Sequence, residues 1–254
     1  MKISPSAAPV WINANHSFKH FDRRIVRYLS KQLPIAYWEY IQNLDEASSM
    51  DIALSLLHDY LKSRSAPVDM IGHGTGGLLG LLYARKYPHR VKSLVLLGVG
   101  CYPAFDWQAH YYHLRKLLPC SQEIILGRMV QMMFGYQSSA NTTNLVEVLK
   151  KDLSTAPTRH SLYQRDLIKS GGVSMPMMVC GSQNDRIVDF LALQKWKNHL
   201  KKEDLLWTIP LGHHFFHYFF AEQTGRQIIK FWKGVESKSN TNVLFDVASK
   251  LVNT

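Results

Sequence analysis

The chain has 254 residues, 46% of them apolar, which is enough for one α/β domain with an insertion. The net charge is +11, but the basic residues are scattered, and a nucleic-acid groove usually needs a clustered stripe. No nucleic-acid partner is therefore expected. No window of about 18 apolar residues predicts a membrane span. The segment 1–9 lacks a signal peptide's apolar region, and three unpatterned cysteines argue against a disulfide framework, so a cytoplasmic protein is expected.

Short apolar segments alternate with helical patterns, which predicts a parallel sheet wrapped by helices. Strands are predicted at 10–12, 34–41, 68–71, 91–99, 176–180 and 205–209. Helices are predicted between the first four strands, at 18–32, 47–61 and 78–86. In the second of these helices an apolar set recurs at helical spacing and predicts the buried face: Ile52, Leu56, Leu57 and Tyr60.

Residues 101–172 interrupt this alternation with helical patterns and no strand signal. The helices are predicted at 105–118, 121–134, 143–153 and 161–168. A block of about 70 residues is too long for a simple connection, so it predicts a helical insertion. The core is then formed by 1–100 and 173–235. The segment 236–254 carries an amphipathic stretch and is expected to form an extra helix or a tail.

The most informative segment is 67–77, which reads Pro-Val-Asp-Met-Ile-Gly-His-Gly-Thr-Gly-Gly. An apolar strand runs into a glycine turn, and a helical pattern follows at once. This is the layout of the nucleophile elbow, G-x-S-x-G, in which a serine occupies a strained turn between strand and helix. Here the central position is Gly74, between His73 and Thr75. A glycine has no side chain with which to attack a carbonyl carbon.

With this motif the chain resembles the α/β-hydrolase family over nearly its whole length. Residues 72–79 are similar to the family's G-H-S-x-G-G elbow, and 87–91 and 94–98 resemble the segment that follows it. The insertion at 101–172 lies where the family places its lid. The resemblance implies an α/β-hydrolase fold, with a mostly parallel sheet, flanking helices and a helical lid. It also implies a serine hydrolase scaffold for ester or similar acyl bonds, with the nucleophile serine replaced by Gly74.

Family triads run in the order nucleophile, acid, histidine. The stretch 181–188, Gly-Ser-Gln-Asn-Asp-Arg-Ile-Val, resembles the family's G-x-x-D-x-I-V acid segment. Asp185 matches if the loop has one extra residue. Asn184 matches without it, but an amide cannot stabilise an imidazolium as a carboxylate does. The resemblance therefore favours Asp185 as the acid, with Asp189 as a weaker rival. The alternative role for Asp185 is that of a turn residue capping the next helix.

The histidine position is ambiguous, because His213 and His214 are adjacent and His217 follows. Family members often read G-H-F-P-H-L-E before a helix that ends in F-L. An ungapped count back from Phe231 and Trp232 puts His217 on the second histidine and His214 on the catalytic one. His213 is the alternative and requires a shift through the helix. With no cysteine or carboxylate nearby, these histidines make a poor metal site, so neither metal nor cofactor is expected.

The family's oxyanion hole uses the backbone N–H after the nucleophile and a second one from the loop after the first strand. Thr75 supplies the first N–H. The second is expected from Asn15, although the family's H-G signature is replaced here by Asn13-Ala14. That replacement favours a different interpretation, in which the protein binds a ligand without catalysis.

Three functions follow from these residues. The first is a serine hydrolase scaffold that is inactive or weakly active because of Gly74. The second is a non-catalytic ligand-binding or interaction protein on the same fold. The third is cofactor-free chemistry by a histidine–aspartate pair. The expected ligand is small and lipophilic, because the insertion is rich in adaptable apolar side chains: Phe105, Trp107, Tyr111, Met129, Met132 and Met133. Most of these are expected to pack within the insertion, and at least some of them to line the cavity.

Overall fold

The structure is a computed structural model, and it describes residues 8–41, 49–103, 106–157, 160 and 168–252. In the last helix the side chains are described as far as residue 237. The predicted helix at 161–168 lies outside the described residues except for its last residue, and Phe105 also lies outside them.

Six parallel strands form one sheet in the order β2-β1-β3-β4-β5-β6. All six predicted strands are present: β1 (Val10–Asn13), β2 (Ala36–Glu39), β3 (Val68–His73), β4 (Val91–Leu97), β5 (Met177–Ser182) and β6 (Leu205–Ile209). The chain leaves β1 toward β2 on one side and returns to β3 on the other. The carboxyl ends of β1 and β3 therefore meet at the crevice where the strand order reverses, which is where α/β sheets usually bind ligands.

Helices cover both faces of the sheet. Their bounds are α1 (Lys19–Ser30), α2 (Met50–Lys62), α3 (Gly74–Lys86), α4 (Trp107–Leu117), α5 (Gln122–Phe134), α6 (Ser139–Thr155), α7 (Phe190–Gln194), α8 (Phe216–Phe219) and α9 (Ala221–Val252). Successive strand side chains point to opposite faces. In β3, Met70 accordingly joins one hydrophobic cluster with Leu57 of α2, while Ile71 joins the other with Ile25 of α1 and Ile228 of α9.

The insertion between β4 and β5 contains the helices α4, α5 and α6. Each begins after a side chain that accepts a hydrogen bond from a first-turn N–H, as helix N-caps do: Asp106, Ser121 and Ser138. The inner sides of these helices join the same hydrophobic cluster as β3 and β4, so the insertion is packed on the core. At the other end of the chain, residues 236–252 continue α9 without a break.

The predicted buried face of α2 is wrong. Ile52 and Leu56 are 44% and 48% exposed, whereas the buried side chains are Met50, Ala53, Leu54, Leu57 and Leu61. Both sets have helical spacing and share Leu57. The observed set repeats at i, i+3, i+4, i+7 and i+11, so it forms a stripe along the whole helix, and every member of that stripe joins the main hydrophobic cluster.

Two neighbouring leucines of α2 test this assignment. We expect Leu57→Ala to lower the free energy of unfolding by about 2–5 kcal/mol, because a fully buried leucine leaves a cavity. Leu56→Ala is the matched control and should change it by less than about 0.5 kcal/mol. Urea denaturation measures both, and equal losses would contradict the observed face.

Candidate active site

The turn from β3 into α3 has the geometry of a nucleophile elbow. β3 ends at His73, α3 begins at Gly74, and the φ of Gly74 is +50°, in the left-handed region. The flanking glycine Gly72 allows strand and helix to pack closely. A Cβ on Gly72 would lie 2.6 Å from backbone atoms of Gly76 and Gly77, closer than real Cβ atoms approach. The turn therefore has this shape only with glycine at that flanking position.

The ring of His214 faces the empty side-chain position of Gly74. A Cβ built on Gly74 has one neighbour within 4 Å among the described residues, the Nε2 atom of His214 at 3.7 Å. That distance is ordinary van der Waals contact, so a hydroxymethyl group has room between the backbone and the imidazole. His214 is 2% exposed, and its Nδ1 lies 2.9 Å from Oδ2 of Asp185. The hydrogen bond expected from the sequence between these two residues is present.

Asp185 is held by its own loop. Its second oxygen, Oδ1, accepts hydrogen bonds from the backbone N–H groups of Ile187 at 2.7 Å and Val188 at 3.2 Å. With Oδ1 occupied in this way, Oδ2 is the atom turned toward His214. The carboxylate is buried and has three donors around it. This arrangement fixes the imidazole orientation, as the acid of a catalytic triad does.

The rival residues have other partners. Asn184 accepts a hydrogen bond from the backbone N–H of His213 at 2.9 Å and lies beside that ring, away from His214. His213 is half-buried and has a φ of +52°. Asp189 accepts from the backbone N–H of Ala192 and caps α7. Of the candidates considered, only Asp185 and His214 form a buried carboxylate–imidazole pair beside Gly74.

Two further histidines surround His214, and the sequence analysis did not assign them a role in the site. His73 Nε2 lies 2.9 Å from the backbone carbonyl oxygen of His214, and because a carbonyl oxygen only accepts, Nε2–H is the donor of that bond. Its ring centroid lies 4.2 Å from the ring of His217. Burial lowers the pKa of His73 well below its ordinary value, and burial also lowers the pKa of His217. Both rings are therefore neutral near pH 7.

A second buried aspartate, Asp22 of α1, organises the carboxyl end of β1. Its carboxylate accepts hydrogen bonds from Trp11 Nε1 at 2.9 Å, Asn13 Nδ2 at 3.1 Å and the Tyr37 hydroxyl at 3.1 Å. His217 Nε2 lies 3.3 Å from its other oxygen. This network was not predictable from local pattern, because Asp22 lies in a charged stretch that is typical of a solvated helix face.

The two predicted oxyanion donors are in different states. Thr75 lies in the first turn of α3, where backbone N–H groups have no partner within the helix. The Asn15 N–H instead donates to Oδ1 of Asn13 at 2.7 Å, as in an Asx turn. The residue that replaces the family histidine thus holds the predicted second donor within the loop. A ligand oxygen reaches that N–H only if this hydrogen bond breaks.

The side chain of Asn15 is tied to the insertion through a third buried aspartate, Asp152 of α6. Asn15 Nδ2 lies 2.9 Å and 3.2 Å from the two carboxylate oxygens, and Trp107 Nε1 donates at 3.1 Å. Gln108 Nε2 is 3.4 Å away. Burial raises the pKa of Asp152 to about 7. Asp152 continues a row of buried positions three residues apart, after Val146 and Leu149, and that position was the available sequence signal.

The apolar side chains predicted to serve a ligand are part of the packed interior. Trp107, Tyr111, Met129 and Met133 are buried in the main hydrophobic cluster, and Met132 is partly buried against it.

Within the described part of the chain, no three or more His, Cys, Asp or Glu side chains are grouped so as to hold a metal ion. In the same part, no helix has the length and apolar character needed to cross a bilayer.

Comparison with known proteins assigns the fold. Residues 61–127 match the family model described as alpha/beta hydrolase fold. An uncharacterized protein of Nostoc sp. (strain PCC 7120) is 45% identical over 88% of this chain and 90% of its own length. An uncharacterized protein of Synechocystis sp. (strain PCC 6803) is 38% identical over 95% of this chain and 98% of its own.

More distant likenesses agree with this fold. A cis-3-alkyl-4-alkyloxetan-2-one decarboxylase of Shewanella oneidensis is 20% identical over 58% of this chain and 54% of its own. A haloalkane dehalogenase variant from Bradyrhizobium elkanii superposes with a TM-score of 0.66 at 15% identity, covering 95% of this chain and 94% of its own. The chain therefore has the α/β-hydrolase fold, and it is related over most of its length to the two uncharacterized cyanobacterial proteins.

The charge state of Asp152 predicts how stability changes with pH. Its folded pKa is raised to about 7, against about 3.9 when unfolded, so the folded chain binds more protons between these values. Its contribution to the free energy of unfolding is full below about pH 4 and is lost as the pH rises through 7. We expect the native chain to lose stability relative to Asp152→Asn between pH 5 and 8, as measured by urea denaturation. A relative gain would show that the buried carboxylate is favoured in its ionised form.

The backbone of Gly74 predicts a cost for any side chain there. A left-handed φ costs a non-glycine residue about 1–3 kcal/mol, whereas losing glycine's freedom in the unfolded chain returns about 0.4–1 kcal/mol. We expect Gly74→Ala to lower the Tm by about 2–4 °C for each net kcal/mol lost. Gly234→Ala, in α9 with open space around its Cβ, should not lower it. A raised Tm for Gly74→Ala would contradict the elbow geometry.

Proposed function

We propose that this protein is the scaffold of a serine ester or acyl hydrolase in which Gly74 has removed the nucleophile and left the rest of the triad assembled. The observation that carries the proposal is the position of His214 Nε2, 3.7 Å from where the Cβ of residue 74 would be. Its Nδ1 is bonded to Asp185. Thr75 supplies a backbone N–H for a developing oxyanion.

The missing hydroxyl determines which chemistry is left. The Asp185–His214 pair is able to act as a general base that takes a proton from water. Water then attacks the acyl carbon directly, and no covalent acyl-enzyme forms. Such an intermediate divides one difficult step into two easier ones, so its loss leaves weak activity. The same pair, acting on a substrate proton, would provide the cofactor-free chemistry that is the third interpretation of the sequence.

Helices α4–α6 serve in this proposal as the lid, within 101–172. The backbone carbonyl of Met133 accepts a hydrogen bond from the His214 N–H at 3.1 Å, and Asp152 bonds Asn15. Movement of the lid would therefore displace both His214 and the loop after β1, which are hydrogen-bonded to it. We expect a small lipophilic ligand beneath these helices.

The three cysteines are free, which supports a reducing, cytoplasmic location.

A ligand-binding protein without catalysis is the second candidate, and one observation favours it. The Asn15 N–H, expected to stabilise an oxyanion, already donates to Asn13 Oδ1. Removing one oxyanion donor typically costs a hydrolase about 10²- to 10³-fold in kcat. A protein that only holds its ligand needs no such donor.

Restoring the serine separates the two candidates. We expect Gly74→Ser to raise hydrolysis of an activated ester, such as p-nitrophenyl acetate, by about 10²- to 10⁴-fold, because triad members act as a unit. An alkyl-substituted oxetan-2-one, which is also an ester, is a suitable second substrate. A serine-directed phosphonate should label residue 74, as detected by mass spectrometry.

The matched control is Gly74→Ala, which adds the same Cβ and the same backbone strain without a hydroxyl. It should stay at the native rate. The double variant Gly74→Ser/His214→Gln should lose the gain. A folded Gly74→Ser protein that neither hydrolyses esters nor reacts with the phosphonate would reject the hydrolase proposal and leave ligand binding as the function.

A further inference from the structure

Helix α1 carries a row of cations on one side. Lys19, Arg23, Arg27 and Lys31 follow one another at four-residue spacing. Side chains four residues apart are neighbours on a helix, and like charges there repel each other. Among the described residues, neither Arg23 nor Arg27 forms an ion pair with a carboxylate. In the described part of the chain, the repulsion between Arg23 and Arg27 is therefore not offset by an ion pair at either residue.

A groove lies along this row. Its volume is about 330 Å³, and its lining consists of Lys19, Arg23, Val26, Arg27 and Tyr37. Small-molecule sites begin at about 300 Å³, so the groove is large enough for a small ligand or for part of a larger one. Its lining combines three cations with one aliphatic and one aromatic side chain. This composition suits an anionic group attached to an apolar body.

Tyr37 connects the groove to the interior. Its hydroxyl donates to Asp22 at 3.1 Å and accepts from Asn13 Nδ2 at 2.6 Å, so the hydroxyl is hydrogen-bonded on the inner side. The ring is left to form the groove wall, and the Nζ atom of Lys19 lies 5.5 Å from its centroid. Lys19 is also paired with Glu39 at 2.6 Å. Arg23 and Arg27 are therefore the cations available to a ligand.

We propose that this groove is a binding site for a phosphate monoester carrying a short apolar chain, separate from the Gly74 site. Two guanidinium groups one helical turn apart match the several oxygens of a dianionic phosphate, to which arginine donates in pairs. Val26 and the Tyr37 ring contact the apolar part. A bound phosphate also offsets the repulsion between the cations along α1, which accounts for their arrangement in a row.

Dihexanoyl phosphatidic acid, a soluble phosphate monoester with short acyl chains, is the probe. Isothermal titration calorimetry on the full chain should show saturable binding of this compound. Dihexanoyl phosphatidylcholine, a zwitterionic phosphodiester, should bind at least tenfold more weakly. Inorganic phosphate should compete for the site only weakly, because it lacks the apolar part. Arg23→Gln/Arg27→Gln should weaken binding of the probe at least tenfold.

The charge-matched control is Arg128→Gln/Lys197→Gln, which removes two exposed cations from elsewhere and should leave the affinity unchanged. Equal weakening by both double variants would show an effect of net charge and overturn the site. Absence of saturable binding would also overturn it.

A final experiment uses vesicles of phosphatidylcholine with phosphatidic acid. Sedimentation with vesicles, without binding of the soluble probe, would replace the groove with a membrane-contacting surface. None of these outcomes depends on ester hydrolysis, so the test is independent of the function proposed for Gly74.

Discussion

The close approach of β3 and α3 is the constraint on which the site depends. Gly72 has no room for a Cβ against the backbone of Gly76 and Gly77, and that packing forces the chain to reverse direction within a few residues. The reversal places Gly74 at a left-handed φ at the tip of the turn. His214 approaches this tip from the other half of the sheet, after β6. The shape of the site is thus a property of the backbone, and it persists without a side chain at residue 74.

Buried carboxylates hold the surroundings of that turn. Asp22 binds the ends of β1 and β2 to α1, Asp152 binds the insertion to the loop after β1, and Asp185 orients His214. Each accepts hydrogen bonds from several donors, as a buried carboxylate must if its desolvation is to be offset. At Asp152 the amide and indole donors lower the pKa of the carboxyl group, but burial outweighs them and raises it to about 7, so pH acts at that point.

Much of the fold follows from local patterns. The six strands are short apolar runs, and the four inner ones are buried along almost their whole length, so the sequence predicts them directly. The face of α2 was mispredicted because two stripes have helical spacing and only tertiary packing selects between them. The α/β-hydrolase fold that the resemblance implied is confirmed. The roles of Asp185 and His214 are predicted from their positions in motifs that resemble those of the family, and the hydrogen bond between them is consistent with those roles. Asp22, His73 and Asp152 were missed because their partners are distant in the chain.

The Asp185–His214 pair beside Gly74 has two physical explanations, stability and catalysis, which need to be distinguished. Asp185 also orders the loop after β5 through the N–H groups of Ile187 and Val188, and the His214 ring is the partner of its other carboxylate oxygen. Removing either side chain would leave a buried polar partner unsatisfied, so stability alone favours keeping both. Glycine at residue 74, in contrast, relieves strain in the turn. Structural forces therefore act in the same direction at all three positions: they retain the acid and the base and favour loss of the nucleophile. The presence of the pair is consequently evidence about geometry, and only chemistry at residue 74 reports on catalysis.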